Sequence, residues 1–135
     1  VIHPMRIYLE RRFGKWAEKE GIDDRRLTQS AREAFAGQVD ADLGAYLFKK
    51  RIARDGEGKS GGYRTILCFR KANEDRIFFL HGFAKGVKEN ITAVELKALM
   101  KLGQGLLSAT EEQLHGLLTQ GYVKRIGEDA DEAQE

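Results

Sequence analysis

Three consecutive runs decide how this chain folds: Tyr46-Leu-Phe-Lys-Lys-Arg-Ile-Ala-Arg54, then Gly58-Lys-Ser-Gly-Gly-Tyr-Arg-Thr-Ile-Leu-Cys-Phe-Arg70, then Arg76-Ile-Phe-Phe-Leu-His-Gly-Phe-Ala-Lys85. The first alternates Tyr46, Phe48, Lys50 and Ile52 against Leu47, Lys49, Arg51 and Ala53, and the second alternates Tyr63, Thr65, Leu67 and Phe69 against Arg64, Ile66, Cys68 and Arg70. A period of two is that of a strand. Ile77, Phe78, Phe79 and Leu80 are apolar without interruption, so their strand is expected at the centre of the sheet, covered on both faces, with neighbours that carry the Lys and Arg. Lys49 and Arg51 should share one face, and Arg64 and Arg70 should share one on the next strand.

Two turns separate the runs. Residues 55–62 hold four glycines in eight positions, which permits positive backbone angles and leaves amide N–H groups to face an anion. The Gly-Lys-Ser within it is not a nucleotide-triphosphatase phosphate loop, because the first glycine is not at the required spacing and a strand follows instead of a helix. Residues 71–75 form a plain polar turn.

Composition bounds the rest. A chain of 135 residues with 41% hydrophobic content suits one domain with one modest core. Net charge is only +2, but residues 44–90 carry eleven Lys/Arg against five Asp/Glu, and residues 109–135 carry two against seven. The sheet is therefore basic and the tail acidic, a distribution that would draw phosphate backbones to the sheet. The single cysteine, Cys68, has no partner for an internal disulfide and reads as a small core residue, which fits a reducing cytoplasm. No segment approaches a membrane span, and Val1-Ile-His-Pro-Met5 lacks the apolar core of a signal peptide, with Met5 the expected natural start.

Outward from the sheet, Met5-Arg-Ile-Tyr-Leu9 is expected to be a short strand that joins it. From Glu10, the spacing of Phe13, Trp16 and Ala17 is helical and stops at Gly21, with Trp16 assigned to the core. Asp23 is the expected cap of a second helix, stapled by Ile22 and Leu27, that buries Leu27, Ala31, Ala34 and Phe35 and stops at Gly37. Asp40 and Asp42 have no third acid or histidine in register and read as turn residues, not metal ligands. Thr92 with Glu95, and Thr110 with Gln113, are capping boxes that open two further helices, the first burying Leu96, Leu99 and Met100 and the second Leu114, Leu117 and Leu118. Tyr122-Val-Lys-Arg-Ile126 is a candidate last strand. Residues 1–126 then make one domain, and 127–135 an acidic tail expected to be disordered.

Three scattered histidines and one cysteine make no zinc site, and neither a nucleophile elbow nor a carboxylate pair is present. What remains is cationic. RNA carries its own nucleophile, the 2′-OH beside the scissile phosphate. Attack on that phosphorus builds negative charge that positioned Arg and Lys stabilise, and this chemistry needs a base and an acid but no metal or other cofactor. The competing reading of the same residues is protection of strand edges against aggregation.

The helix pair, the basic strand Lys49-Lys-Arg-Ile-Ala-Arg54, the motif Gly58-Lys-Ser-Gly-Gly-Tyr-Arg64 and the strand end Gly82-Phe-Ala-Lys85 resemble the RelE/ParE superfamily of toxins from type II toxin–antitoxin modules, over roughly residues 5–126. The resemblance is closest to the RelE-like branch. It implies an α+β fold in which an N-terminal helical hairpin packs on a small antiparallel sheet, followed by C-terminal helices. It also implies neutralisation by a cognate antitoxin and cleavage of mRNA, usually on the ribosome. By position, Arg64 resembles the family's phosphate and transition-state ligand, Lys49 and Arg51 its strand cations that neutralise the scissile phosphate or leaving group, and Lys85 its basic residue after the last strand. Lys50, Arg54, Lys59 and Arg70 are the expected backbone-binding cations. The family's RelE members place a tyrosine, the base, shortly after the last strand, where this chain has Asn90 and Ile91. The base is therefore open among His81, whose spacing with Phe79 and Phe83 suggests burial, and a lysine of lowered pKa; Tyr63 faces away from Arg64. Two other functions fit the resemblance or the charge: a ParE-like inhibitor of DNA gyrase without catalysis, and a non-catalytic accessory that binds nucleic acid.

Overall fold

The computed structural model describes residues 5–54, 58–70, 75–86 and 90–127, with the backbone alone at 58–60. In chain order the elements are β1 (Arg6–Glu10), α1 (Arg11–Lys19), α2 (Asp24–Phe35), β2 (Ala41–Gly44), β3 (Leu47–Arg54), β4 (Gly58–Cys68), β5 (Arg76–Ala84), α3 (Ala93–Ser108), α4 (Glu111–Thr119) and β6 (Val123–Ile126). The six strands form one sheet in the order β2-β3-β4-β5-β1-β6.

Local chemistry explains where the helices start and stop. The Glu10 carboxylate accepts the Phe13 N–H at 2.9 Å and the Asp23 carboxylate accepts the Arg26 N–H at 2.9 Å, which caps α1 and α2. Both expected capping boxes form, Thr92 with Glu95 and Thr110 with Gln113. Gly21, Gly37 and Gly121 follow α1, α2 and α4 at positive φ of 74°, 102° and 80°.

The uninterrupted apolar run of β5 does lie inside the sheet, with Ile77, Phe78 and Phe79 wholly buried. Phe13, Ala17, Leu27, Ala31 and Ala34 of α1 and α2 pack with Ile52, Tyr63, Leu67, Ile77 and Phe79 on one face. Leu99, Leu106, Leu107 and Leu114 of α3 and α4 pack with Leu47, Ile66, Cys68, Phe78 and Leu80 on the other. Helix α3 comes close because Gly103 has no side chain, and a Cβ there would lie 3.2 Å from Leu47. Each such fully buried Leu or Phe contributes about 1.5–3 kcal/mol. Burial also pushes the Cys68 thiol up to about 12, as its assignment to the core requires.

The α+β expectation holds in general, with three corrections. The sheet has six strands and is mixed, since β1 runs parallel to β5 while its other neighbours are antiparallel. Strand β1 precedes the two N-terminal helices, as the reading of residues 5–9 expected, but helices cover both faces of the sheet. Residues 41–44, read as turn, form the edge strand β2 with a shifted register, and Asp42 Oδ1 accepts the Gly44 N–H at 2.9 Å beside it. Parts of both inter-strand turns and the acidic tail from residue 128 lie outside the described residues. Among the described residues no helix is long and apolar enough to cross a membrane.

Candidate nucleic-acid interface

Register assembles the site. Lys49 pairs with Ile66, which pairs with His81; two residues along, Arg51 pairs with Arg64, which pairs with Phe83. Residues directly opposite in a ladder share a face, so these two rows place Lys49, Arg51 and Arg64 together, on the α3 side of the sheet. The rows beside them, Lys50–Thr65–Gly82 and Ile52–Tyr63–Ala84, face α1 and α2. Lys85 lies just beyond β5, exposed, with its backbone N–H donated to the Gly62 carbonyl at 3.1 Å. Of the expected catalytic cations, Lys49, Arg51 and Arg64 therefore lie on the α3 face of β3 and β4, with Lys85 just past the end of β5.

Of the expected backbone-binding cations, Lys50, Arg54 and Arg70 stand elsewhere. Lys50 is 4% exposed and lies under α2, where its Nζ meets Glu33 Oε1 at 3.1 Å. Its parity within β3 already set it opposite Lys49. Arg54 lies over the Tyr63 ring, 5.7 Å from its centroid, and Tyr63 belongs to the α1 and α2 core. Arg70 stacks on Tyr46, 5.2 Å from the ring centroid, past the far end of β4. Six residues of extended chain, about 20 Å, separate it from Arg64. The side chain of Lys59 lies outside the described residues.

Two acidic groups that the sequence reading left out shape the site. Asp40 accepts the Arg51 backbone N–H on Oδ2 and its Nε on Oδ1, each at 2.7 Å. Partial burial pushes the Asp40 carboxyl up, but the Arg51 N–H and guanidinium, helped by the charge of Lys50, outweigh it and hold it below its ordinary value. Arg51 is thus fixed in direction through Nε, the nitrogen nearest its stem. The second is Glu95 on the first turn of α3, whose Oε2 lies 4.0 Å from His81 Nε2. Its capping role was legible in sequence; its approach to β5 was not.

A cavity of about 780 Å³ lies elsewhere, at the other edge of the sheet, where α1, α4 and β6 surround Leu9, Ala17, Ile22, Leu118 and Val123. It has none of the four expected catalytic cations in its wall, so the basic face is the candidate interface for nucleic acid. A protein-family model described as RelE toxin of RelE / RelB toxin-antitoxin system matches residues 5–126. No curated protein matches the sequence.

Proposed function

The chain belongs to the RelE toxin family, and on that premise we propose that it is a metal-independent mRNA endonuclease that halts translation. As a toxin of a toxin–antitoxin system it has an antitoxin as partner. The observation that supports the nuclease reading is the convergence of Lys49, Arg51 and Arg64 on one face through two successive same-face rows of the ladder.

Such a face matches the demand of the reaction. The 2′-OH of the substrate attacks the adjacent phosphorus, charge grows on the non-bridging oxygens, and the 5′-oxygen leaves. Arg64, at the centre of its row, is the phosphate and transition-state ligand. Arg51, aligned by Asp40, supplies a second guanidinium, and Lys49 and Lys85 meet the leaving group and flanking backbone. Each preorganised donor of this kind is worth about 2.7–4 kcal/mol of barrier.

Purified protein added to a translation extract is expected to stop synthesis and to leave mRNA with new ends. Arg64→Ala should restore synthesis and remove those ends, with cleavage reduced roughly 10²–10³-fold. Intact mRNA with the unmutated protein, or a failure of DNA supercoiling before translation, overturns the reading in favour of a binding toxin.

A further inference from the structure

The loop that joins β2 to β3 is two residues long, Ala45 and Tyr46, between Gly44 and its ladder partner Leu47. Both have positive φ, 51° and 65°. A hairpin loop of that sign ordinarily holds Asn-Gly or Gly-Gly, because a side chain is strained there. This chain carries a tyrosine at the second position, and the ring is not spent on the core: Tyr46 is 53% exposed. The turn is nonetheless fixed, since the Tyr46 carbonyl accepts the Phe69 N–H at 3.2 Å. The Arg70 guanidinium lies over the ring, 5.2 Å from its centroid. A strained backbone thus presents to solvent an aromatic plane backed by a cation.

Cations lead from the basic face to that ring. Tyr46 stands five residues before Arg51, about 17 Å of extended chain, with Lys49 between them opposite Ala41 of β2. Helix α3 borders this path, because a Cβ on Gly44 would lie 3.9 Å from the Met100 methyl. Lys97 precedes Met100 by about one turn on the same side of α3, and Lys101 follows Lys97 by another. Both lysines are exposed. Asp42 of β2 pairs with Phe48, which packs in the α1 and α2 core, so this acid belongs to the opposite face and does not repel a polyanion here.

Resting on the nuclease reading, we propose that Tyr46 is a stacking platform for a base of single-stranded RNA, a few nucleotides from the phosphate held by Arg64 and Arg51. Lys97 and Lys101 carry the backbone between the two points. Every base has a π-face, so such a platform fixes the path of the strand without choosing its sequence. Arg70 is engaged with the ring, so it adds affinity by holding the tyrosine and not by taking a phosphate. The platform therefore sets how far the RNA must extend beyond the cleaved bond to be held.

The test is fluorescence anisotropy of a labelled RNA octamer, 2′-O-methylated so that it lacks the nucleophile, with one abasic position moved along it. Tyr46→Ala is expected to weaken binding roughly 5–150-fold with the salt dependence unchanged. Lys97→Ala and Lys101→Ala should each lower the slope of log affinity against log salt by about 0.7. Removing the stacked base should weaken the parent by the same factor as Tyr46→Ala and leave Tyr46→Ala unaffected, while Tyr46→Phe, which keeps the ring, binds as the parent does. Tyr46→Gly separates the role in RNA from the role in the fold: glycine takes a φ of 65° without strain, so Tm should hold while RNA binding falls. A parent that does not bind the octamer, glycine and alanine variants that bind it as the parent does, or the lack of any abasic position whose effect they abolish overturns the platform. Cleavage of unmethylated mRNA in a translation extract is scored separately: cleavage by the parent keeps the nuclease reading whatever becomes of the platform, and intact mRNA overturns that reading even where Tyr46 binds RNA.

Discussion

Gly82 is where the two faces of the sheet constrain each other at the level of single residues. A Cβ there would lie 2.3 Å from Trp16 Cζ3. Phe13 and Tyr63 both pack on the indole, each at 5.5 Å between ring centroids, and oppose its displacement. Gly82→Ala is therefore expected to destabilise the fold by about 1–3 kcal/mol, as overpacking does, and thermal melting would read this as a lower Tm; an unchanged Tm would show that the indole has room. Lys50 gives the converse case. Its ion pair with Glu33 is buried on the lysine side, and removing one partner of such a pair takes the compensating charge away from the other. Lys50→Met is expected to destabilise by about 1–3 kcal/mol in denaturant unfolding, while Lys50→Ala, which also opens a void, should fall further.

Among the elements, the join between α3 and α4 is tied to the sheet by two guanidiniums. Arg76, 6% exposed, donates Nη1 to the Ala109 carbonyl and Nη2 to Glu111 Oε1, both at 2.7 Å. Arg6 on β1 donates to the same carboxylate at 2.8 Å and 2.9 Å and to Asp75 beside β5. Two guanidiniums, Arg6 first and then Arg76, pull the Glu111 carboxyl from its ordinary 4.5 to about 2. A folded value below the unfolded one means stability that is present above pH 4.5 and lost as the pH falls toward 2. The carboxylate is 68% exposed, so water screens much of this interaction. Stability measured by denaturant between those pH values should still fall less steeply in Glu111→Gln than in the parent. At the opposite end of α3, Thr92→Ala removes the cap and is expected to destabilise by about 1 kcal/mol.

For the molecule as a whole, the proposed nuclease function makes charge geometry decide how RNA would be held. Each phosphate neutralised on single-stranded RNA adds about 0.7 to the slope of log affinity against log salt concentration. Arg64→Ala and Lys49→Ala should each reduce the measured slope by about that amount. Lys50→Met and Arg70→Ala, which alter cations away from that face, should leave it unchanged; equal losses from all four would mean that RNA does not choose the α3 side. By itself the sequence determined the strands other than β2, the helix starts and stops, the central place of β5, and the grouping of Lys49 with Arg51, because periodicity and caps are local properties of neighbouring residues. Only the tertiary structure decided that β1 enters parallel beside β5, that Asp40 and Glu33 take up Arg51 and Lys50, and that one extra residue in β5, Leu80, turns His81 off the face of Phe79. Those outcomes depend on pairing between distant segments. A single extra residue in a strand reverses every side chain beyond it, and no local pattern announces where the partner strand will accept it.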